Sequence, residues 1–362
     1  MKDVKILITG GGGVTGRAIA RSIKLSPIYK NAILISADIY QNKYGIFEGL
    51  FDRCYKMPHV DEENYFLKTQ ELIRLEKPDV VLIMTEKEAI YWGTKEKIFD
   101  SLISPYDFSI IAGNKARLYS ILEDDKLVPE HVLFDRKEIS FEKIFNEKFN
   151  SRPVWVRCYE EGTSSGKGAY LVNTIYDAKA WFDMNPSITS YLVSDVLPGG
   201  NYACNLLFYQ GKLLQHAIYE RVEYFMPHLS PSGITGNICV GKLINDKRVL
   251  DNSLASIRAI ELKTSTKANG IYTVDLKGDN ENNPLITEIN LRHTAATSSF
   301  AQGGCNMAEY QISATLGRFE LIPNTEIIFN QNNKLFRDID GCPIYVTDFQ
   351  NLYREKLIDF TQ

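Results

Sequence analysis

The sequence lacks clustered metal-binding side chains and any apolar run long enough to cross a bilayer. Its six cysteines are scattered with no Cys-x-x-Cys pair, and its five histidines show no metal-ligand spacing, so neither a zinc site nor a disulfide framework is expected. No apolar stretch approaches the ~20 residues of a transmembrane helix. The first three residues lead directly into an apolar run, without a signal peptide. We therefore expect a cytoplasmic protein with reduced thiols and no membrane contact.

An excess of positive charge is also absent. The formal net charge is −4 over 362 residues, which argues against a nucleic-acid partner. Hydrophobic residues make up 44% and charged residues 24% of the chain, values that are typical of a globular protein. A chain of this length has room for two or three domains, each with its own core.

The first hundred residues alternate between apolar strands and helical patterns. The pattern predicts strands at residues 5–9, 33–38 and 79–84, a glycine-rich turn at 10–16, and helices at 17–23 and 65–75. Such alternation predicts a parallel, Rossmann-like sheet with helices on its faces. Residues 109–113 are predicted to form a last short strand, followed by a helix for which Asn114 is the N-cap.

The glycine-rich turn allows a second interpretation. Together with Asp38 at the end of the second strand, residues 10–16 fit the fingerprint of a short-chain dehydrogenase, and Tyr91 with Lys95 resembles the catalytic pair of that family. That pair should follow much later in the chain, after more βα units. An NAD(P)-dependent oxidoreductase that is indifferent to Mg²⁺ therefore stays as an alternative hypothesis.

The middle of the chain has a glycine- and serine-rich loop between two strands. Residues 162–168 offer backbone N–H groups and the cation Lys167 to phosphate oxygens, and a loop of this kind can open and close over a ligand. Arg157 lies inside the preceding apolar strand. A strand-interior arginine that faces a cleft needs an anionic partner.

A late hairpin combines carboxylates with an amide. Alternation along the second arm places Ile286, Glu288 and Asn290 on one face and Thr287 on the other. Antiparallel pairing of the arms brings Asp275 opposite this polar face. Two carboxylates and an amide oxygen are ligands that suit Mg²⁺. Taken alone, the same pattern also fits the solvated edge of a sheet.

The order of these segments resembles ATP-grasp proteins of the carbamoyl-phosphate-synthase large-chain type, in a short single-module form related to carboxylate–amine ligases. The resemblance covers roughly residues 3–320. It rests on the turn at 10–16, on Arg157 with its glycine loop, on residues 195–199 and on the segment Glu-Ile-Asn-Leu-Arg at 288–292. The family has proline where this chain has Leu291.

The resemblance implies an α/β fold with an α+β second domain. It divides the chain into a Rossmann-like pre-ATP-grasp domain (1–112), an N-terminal ATP-grasp lobe (113–190), a C-terminal lobe with the metal site (191–320) and an extension without an assigned role (321–362).

The resemblance also implies site residues, carried over position by position. The residues implied to bind ATP are Lys115, Arg157, Gly166, Lys167, Ser194, Asp195, Val196 and Asn201. Mg²⁺, with Mn²⁺ as an alternative ion, would be held by Asp275, Glu288 and Asn290. Arg292 would stabilise an acyl phosphate or orient the acid, and Lys167 would hold the phosphates from the mobile loop. These two residues are the implied catalytic pair.

The implied activity is an ADP-forming ligation. A carboxylate attacks the γ-phosphoryl group of ATP, and an amine or another nucleophile then displaces phosphate from the acyl phosphate. The expected partners are small-molecule carboxylates and amines, and a homodimer is the default assembly. Relatives have a ribose-binding glutamate near the position of Asn201. A nucleotide-binding scaffold without turnover is therefore a third hypothesis.

Overall fold

The computed structural model describes residues 4–39, 44–137, 140–159, 168–338 and 357–361. Its α-helices are Val14–Leu25 (α1), Tyr44–Phe47 (α2), Tyr65–Glu76 (α3), Glu86–Gly93 (α4), Tyr106–Ala112 (α5), Lys115–Leu122 (α6), Phe141–Lys143 (α7), Ile175–Met184 (α8), Lys247–Thr264 (α9), Thr297–Gln302 (α10) and Met307–Thr315 (α11). A π-helical segment, Ile144–Lys148, continues α7, and short 3₁₀ turns span Pro227–Leu229 and Phe319–Leu321.

The strands form three sheets, so the protein is α/β, as predicted. They are Lys5–Thr9 (β1), Ile33–Asp38 (β2), Arg53–Lys56 (β3), Val80–Leu82 (β4), His131–Asp135 (β5), Val154–Cys158 (β6), Tyr170–Val172 (β7), Ser190–Asp195 (β8), Asn201–Tyr209 (β9), Lys212–Tyr224 (β10), Ile238–Ile244 (β11), Gly270–Gly278 (β12), Pro284–Asn290 (β13), Leu335–Phe336 (β14) and Leu357–Asp359 (β15).

The first sheet is parallel and has the order β15-β3-β2-β1-β4. Ile6 and Ile8 of β1 are fully buried and belong to the same apolar cluster as Ile19 and Ile23 of α1. The turn from β1 to α1 depends on glycine, because a Cβ at Gly16 would lie 2.6 Å from backbone atoms of the turn. This packing holds the start of α1 against the end of β1.

The strand predicted at residues 109–113 is wrong, because this segment belongs to α5. Phe108, Ser109 and Ala112 are buried, which is the one-sided spacing of a helix, not the alternation of a strand. Pro105 precedes the first turn and Asp107 lies within it, and both are favourable at a helix start.

The other two sheets are antiparallel. The smaller one has the order β5-β8-β6-β7, and the larger one has the order β13-β12-β9-β10-β11-β14. Helix α9 packs on the larger sheet through Val249, Ile257 and Ile260, which belong to the same buried cluster as the hairpin residues Ile286 and Ile289. Side chains on the other face of this sheet, among them Leu207 and Ile271, form a second buried cluster with Phe300 of α10 and Met307 of α11. The polar side chains of the hairpin therefore occupy only part of that face.

The end of the chain returns to the first sheet. Ala308 and Ile312 of α11 join the apolar cluster under α1, and β15 adds a parallel strand beside β3. The predicted extension at 321–362 thus contributes β14 to the largest sheet and β15 to the first one.

Five cysteines lie in the described ranges, and no disulfide joins any two of them. Within the same ranges, no helix combines the length and apolarity that a membrane crossing requires.

Candidate active site

The hairpin of β12 and β13 has the predicted register at its polar end. Asp275 lies opposite Glu288, and Thr273 lies opposite Asn290. A β-bulge follows, because Leu276 pairs with Ile286 and leaves Thr287 as an extra residue on β13.

The bulge corrects the predicted alternation along β13. Ile286 does not share a face with Glu288 and Asn290. It is fully buried in the same core as Ile289. The hydroxyl of Thr287 donates to the carbonyl oxygen of Asp275 at 3.1 Å, which fixes the bulge while the two polar side chains keep a common face.

The three predicted metal ligands converge. Nδ2 of Asn290 donates to Oδ2 of Asp275 at 3.2 Å and to Oε1 of Glu288 at 3.4 Å. The amide nitrogen therefore lies between the two carboxylates. Rotation of the amide by half a turn would present its oxygen to a cation at the same place.

Several cations surround this carboxylate pair. Nζ of Lys115, at the start of α6, lies 3.3 Å from Oε2 of Glu288, and the lysine side chain is only 16% exposed. Arg221 of β10 contacts Oδ1 of Asp275 at 2.5 Å. Arg292 donates to Oδ1 of Asn290 at 3.3 Å. The polar end of the hairpin is thus a compact network of charges of both signs.

The two carboxyl groups have opposite pKa shifts. Burial raises the pKa of Asp275 to about 6; Arg221 opposes the shift and the charge of Glu288 adds to it. Burial would also raise the pKa of Glu288, but Lys115 and Arg157 together with the neighbouring hydrogen bonds hold it at about 2. Because the two carboxyl groups interact strongly, they titrate together as a pair.

Arg157 reaches the site from the smaller sheet. On β6, Val154, Val156 and Cys158 are buried, and Arg157 points to the opposite face. Its guanidinium donates to the hydroxyl of Tyr119 and lies 5.2 Å from the centre of that ring. Its Nε is buried without a hydrogen-bond partner among the described residues. A buried donor of this kind is suited to a phosphate oxygen.

The donor set at the hairpin fits Mg²⁺. In the part of the chain that the structure describes, no three His, Cys, Asp or Glu side chains are placed so that they could hold a metal ion together. The two carboxylates and the amide oxygen would hold the ion, and water and phosphate oxygens would supply its other ligands. A divalent cation would also relieve the repulsion between two buried carboxylates.

The predicted adenine segment, residues 194–196, lies at the end of β8, an inner strand of the smaller sheet. Ser194 pairs with His131 on one side and with Trp155 on the other. The N–H of Asp195 donates to the carbonyl of Glu130 at 3.0 Å. The backbone of both residues is thus engaged within the sheet, and Val196 is the first residue beyond it. Adenine binding by the three residues stays a prediction.

The predicted ribose contact, Asn201, has both ends of its amide engaged. Its Nδ2 donates to the hydroxyl of Tyr224 at 2.7 Å, and its Oδ1 accepts from Arg221 at 2.8 Å. The side chain therefore supports Arg221 in this structure. The predicted loop residues Gly166 and Lys167 lie outside the described residues.

Sequence reasoning missed three residues of the site. Arg221 and Tyr119 are described above. The third is Glu86 at the start of α4: burial raises the pKa of its carboxyl, Arg292 lowers it and Glu288 raises it. An available signal was the position of Arg221 within a strand of mostly apolar residues, the same signal that singled out Arg157.

One feature of the dehydrogenase alternative, Asp38, has another role in this structure, whereas Tyr91 and Lys95 contact each other. Asp38 is only 4% exposed, and its Oδ2 accepts the N–H of Gly12 at 3.0 Å. Nζ of Lys95 lies 4.9 Å from the centre of the Tyr91 ring. The acid that would bind a ribose is therefore used to hold the glycine turn.

No protein-family model matches this sequence, and no curated protein matches it in sequence. Solved structures do match the fold. An ADP complex of N5-carboxyaminoimidazole ribonucleotide synthetase matches with a TM-score of 0.63 and 14% identity, covering 91% of this chain and 81% of that one. An L-amino acid ligase from Bacillus licheniformis matches with a TM-score of 0.59 and 13% identity, covering 88% and 77%.

A third similar structure is the biotin carboxylase domain dimer of the Hydrogenobacter thermophilus 2-oxoglutarate carboxylase, in complex with MgADP, ADP and bicarbonate. The TM-score is 0.63 at 12% identity, with 91% of this chain and 73% of that one covered. These proteins are ATP-grasp enzymes. This chain has the fold of the ATP-grasp superfamily.

Proposed function

We propose that this protein is an ADP-forming, Mg²⁺-dependent ligase that joins a carboxylate to an amine or a similar nucleophile. The observation that carries the proposal is the convergence of Asp275, Glu288 and Asn290 with Lys115 and Arg157 in an ATP-grasp fold. This arrangement combines a site for a hard divalent cation with fixed positive charge for phosphate oxygens.

The residues suit a reaction through an acyl phosphate. Phosphoryl transfer needs in-line positioning and neutralisation of charge more than covalent help from the protein. Lys115 and Arg157 would bind and orient the phosphates. Arg292, beside Asn290, would hold the substrate carboxylate or the acyl phosphate. Bound Mg²⁺ would neutralise charge between the β- and γ-phosphates.

The same proposal assigns roles to the parts of the chain. The parallel sheet supports a Rossmann-like pre-ATP-grasp domain over residues 1–112. The two antiparallel sheets would be the N-terminal lobe (113–190) and the C-terminal lobe (191–320). ATP would bind between them, with its adenine at residues 194–196 and its phosphates toward the hairpin. A homodimer is the default assembly.

A nucleotide-binding scaffold without turnover is the second candidate. The hydrogen bonds of the Asn201 amide to Tyr224 and Arg221 favour it, because a ribose hydroxyl would have to compete with them. Both candidate functions predict nucleotide binding, but only the ligase predicts a release of ADP that depends on its substrates.

A thermal-shift comparison of Mg-ATP, Mg-ADP, NAD and NADP tests the nucleotide. We expect stabilisation by the two magnesium nucleotides only, since binding to the native state alone raises the melting temperature. Stabilisation by NAD(P) without Mg-ATP would contradict the ligase. ADP release should then be followed over pools of acids and amines, and its absence from every pool would favour the scaffold.

A pair of arginine variants tests the phosphate assignment. Arg157→Ala should weaken Mg-ATP binding by roughly tenfold or more, because a charge-assisted contact is removed. Arg258→Ala, on the exposed face of α9, is the matched control and should bind as the wild type does. Equal affinity in both variants would remove Arg157 from the nucleotide site.

A further inference from the structure

A second polar cavity lies on the side of the molecule where α10 meets α1. Its volume is about 490 Å³. The charged and amide-bearing residues that line it come from α1, from α10 and from the segment after β14: Arg17, Arg21, Lys24, Gln302, Arg337 and Asp338. Ser298 and Ser299 add hydroxyl groups to the wall. No residue implied by the resemblance lies in this lining.

Positive charge is in excess around the cavity. Four cations line it, and the nearby carboxylates among the described residues are Asp338 in the wall and Glu48, which pairs with both Arg17 and Arg21. Within the described part of the chain, the cations of this region therefore outnumber its carboxylates by two, in a protein whose net charge is −4. Burial lowers the pKa of Arg337, and Arg17 and Arg21 lower it further against the effect of Tyr219. The three guanidinium groups are thus close enough to repel one another, and a bound anion would relieve that repulsion.

Arg17 is positioned as a binding group. Its side chain is only 20% exposed, and its Nε is buried without a hydrogen-bond partner in the described ranges. The guanidinium lies 5.3 Å from the centre of the Tyr44 ring, and its NH1 donates to Oε2 of Glu48 at 3.3 Å. The group is held in place on two sides, yet keeps a donor that no atom of the described residues satisfies, which is costly unless a ligand is bound.

The spacing of the cations is that of one helix face. Arg17, Arg21 and Lys24 follow each other at intervals of four and three residues on α1. On a free surface helix this stripe would be solvated. Here α10 packs against α1, and Arg337 belongs to the same lining, so the stripe forms one wall of a cavity that opens to solvent.

The cavity adjoins the candidate active site through a short chain of contacts. Arg337 lies near Tyr219 in the fold. The hydroxyl of Tyr219 is 3.0 Å from that of Thr294, and Arg221 lies over the Tyr219 ring at 5.2 Å. Arg221 in turn binds Asp275. Thr294 and the cavity residue Ala295 directly follow Arg292 and His293 in the chain.

We propose that this cavity binds the phosphate group of a small phosphate ester, which is one of the two molecules that the enzyme joins. The excess of two positive charges matches a phosphate monoester dianion, and arginine forks beside serine hydroxyls offer the donors that its oxygens accept. This assignment of a substrate class rests on the proposed ligase function. The binding of phosphate in the cavity does not.

The direct test is calorimetric titration of the full-length protein with inorganic phosphate. A saturating non-hydrolysable ATP analogue with Mg²⁺ is present, so that the nucleotide site is filled. The wild type should bind phosphate, and the double variant Arg17→Gln/Arg337→Gln should bind it roughly tenfold more weakly or worse. Arg258→Gln, on the exposed face of α9, is the control and should match the wild type. Equal affinity in the double variant, or no binding by the wild type, overturns the proposal.

A second variant covers the case in which the double variant does not fold. Lys24 is exposed at the mouth of the cavity, so Lys24→Gln should fold normally. It should weaken phosphate binding by roughly two- to fivefold and reduce its dependence on salt. An unchanged affinity contradicts the proposal. Malonate is the comparison ligand, and binding as tight as that of phosphate would overturn the assignment to a phosphate group.

The experiments give different results when the phosphate site is wrong and when the proposed ligase function is wrong. If the ATP analogue does not bind, the titration without nucleotide tests phosphate binding in the cavity by itself. The affinity for phosphate should then fall in Arg17→Gln/Arg337→Gln and not in Arg157→Ala. If the analogue binds and ADP release occurs only with substrates that lack phosphate, the cavity's role as a substrate site is wrong while the ligase stands.

Discussion

Arg221 and Asp275 form a buried ion pair across three strands of the largest sheet. Arg221 is on β10 and Asp275 on β12, with β9 between them. The side chain can cross because Ala203, the β9 residue opposite Asp275, is small. Asn201 and the carbonyl of Tyr202 accept hydrogen bonds from the same guanidinium at 2.8 and 3.1 Å. The arginine thereby fixes one of the two carboxylates of the candidate metal site.

Loss of this arginine should damage both stability and cation binding. Arg221→Met leaves Asp275 buried without its counter-charge, and the free energy of unfolding should fall by about 3 kcal/mol. The pKa of Asp275 should rise above its present value of about 6, which weakens Mg²⁺ binding at neutral pH. Urea unfolding and Mg²⁺ titration of the ADP complex measure the two effects.

The control for this variant is Lys242→Met, which removes a half-exposed ion pair with Glu220 on the same sheet. Surface pairs contribute about 0–1 kcal/mol, so its stability and Mg²⁺ dependence should stay close to those of the wild type. Similar losses in both variants would mean that Arg221 has no special connection to the site.

Replacement of Glu288 by Gln should abolish turnover and leave the fold intact. The amide keeps the shape of the side chain and removes a charge that pairs with Lys115 and would bind Mg²⁺. We expect ATP consumption to fall by roughly a hundredfold or more, measured as ADP release alongside the circular dichroism spectrum. Glu281→Gln, exposed in the loop of the same hairpin, is the control. Wild-type turnover by Glu288→Gln would exclude Glu288 from the site.

The pKa of Asp275 predicts weaker cation binding in mild acid. Burial raises this pKa from 3.8 to about 6, against the lowering effect of Arg221. A ligand carboxylate must be ionised, so the affinity for Mg²⁺ should fall by roughly tenfold per pH unit below pH ~6. The contribution of Asp275 to the free energy of unfolding depends on pH in the opposite direction. The contribution of the protonated group is present below pH ~4 and is lost as the pH rises through ~6.

Titrations of Mg-ADP between pH ~5 and ~8 test this prediction. Asp275→Asn should bind Mg²⁺ weakly at every pH and lose the acid-dependent decline. Asp279→Asn, which lies in the exposed loop of the hairpin, should retain the wild-type profile. A wild-type affinity that does not change over this range would mean that another group, not Asp275, provides the charge.

The sequence predicts local patterns better than contacts between distant segments. The hairpin register followed from two β-prone arms and a polar turn, so the pairing of Asp275 with Glu288 was predictable. The bulge at Thr287 was not predictable, because one extra residue in a pair of strands leaves no mark in the alternation of apolar residues along the sequence. The helix α5 was missed because Ile110 and Ile111 are β-branched, and the packing of Phe108 and Ala112 overrides that preference.

Long-range pairs explain the other omissions. Arg221 lies 54 residues before Asp275, and no sequence spacing connects them. The strand β15 joins β3 from the far end of the chain, and the cationic cavity needs both α1 and Arg337. Each of these features depends on contacts between distant segments of the chain. The periodicity of hydrophobic residues carries no information about such contacts.

His293 should make the stability of the fold depend on pH. It is fully buried, with Nε2 2.7 Å from Oε1 of Gln311, and burial lowers its pKa to about 4 despite that contact. Its contribution to stability is therefore complete above pH ~6.5 and declines by about 2 kcal/mol on going to pH ~5. Urea unfolding at pH ~7.5 and ~5 measures the decline. His293→Gln should reduce it, whereas His228→Gln, which alters an exposed histidine, should not. An identical decline in both variants would show that a group other than His293 gains the proton on unfolding.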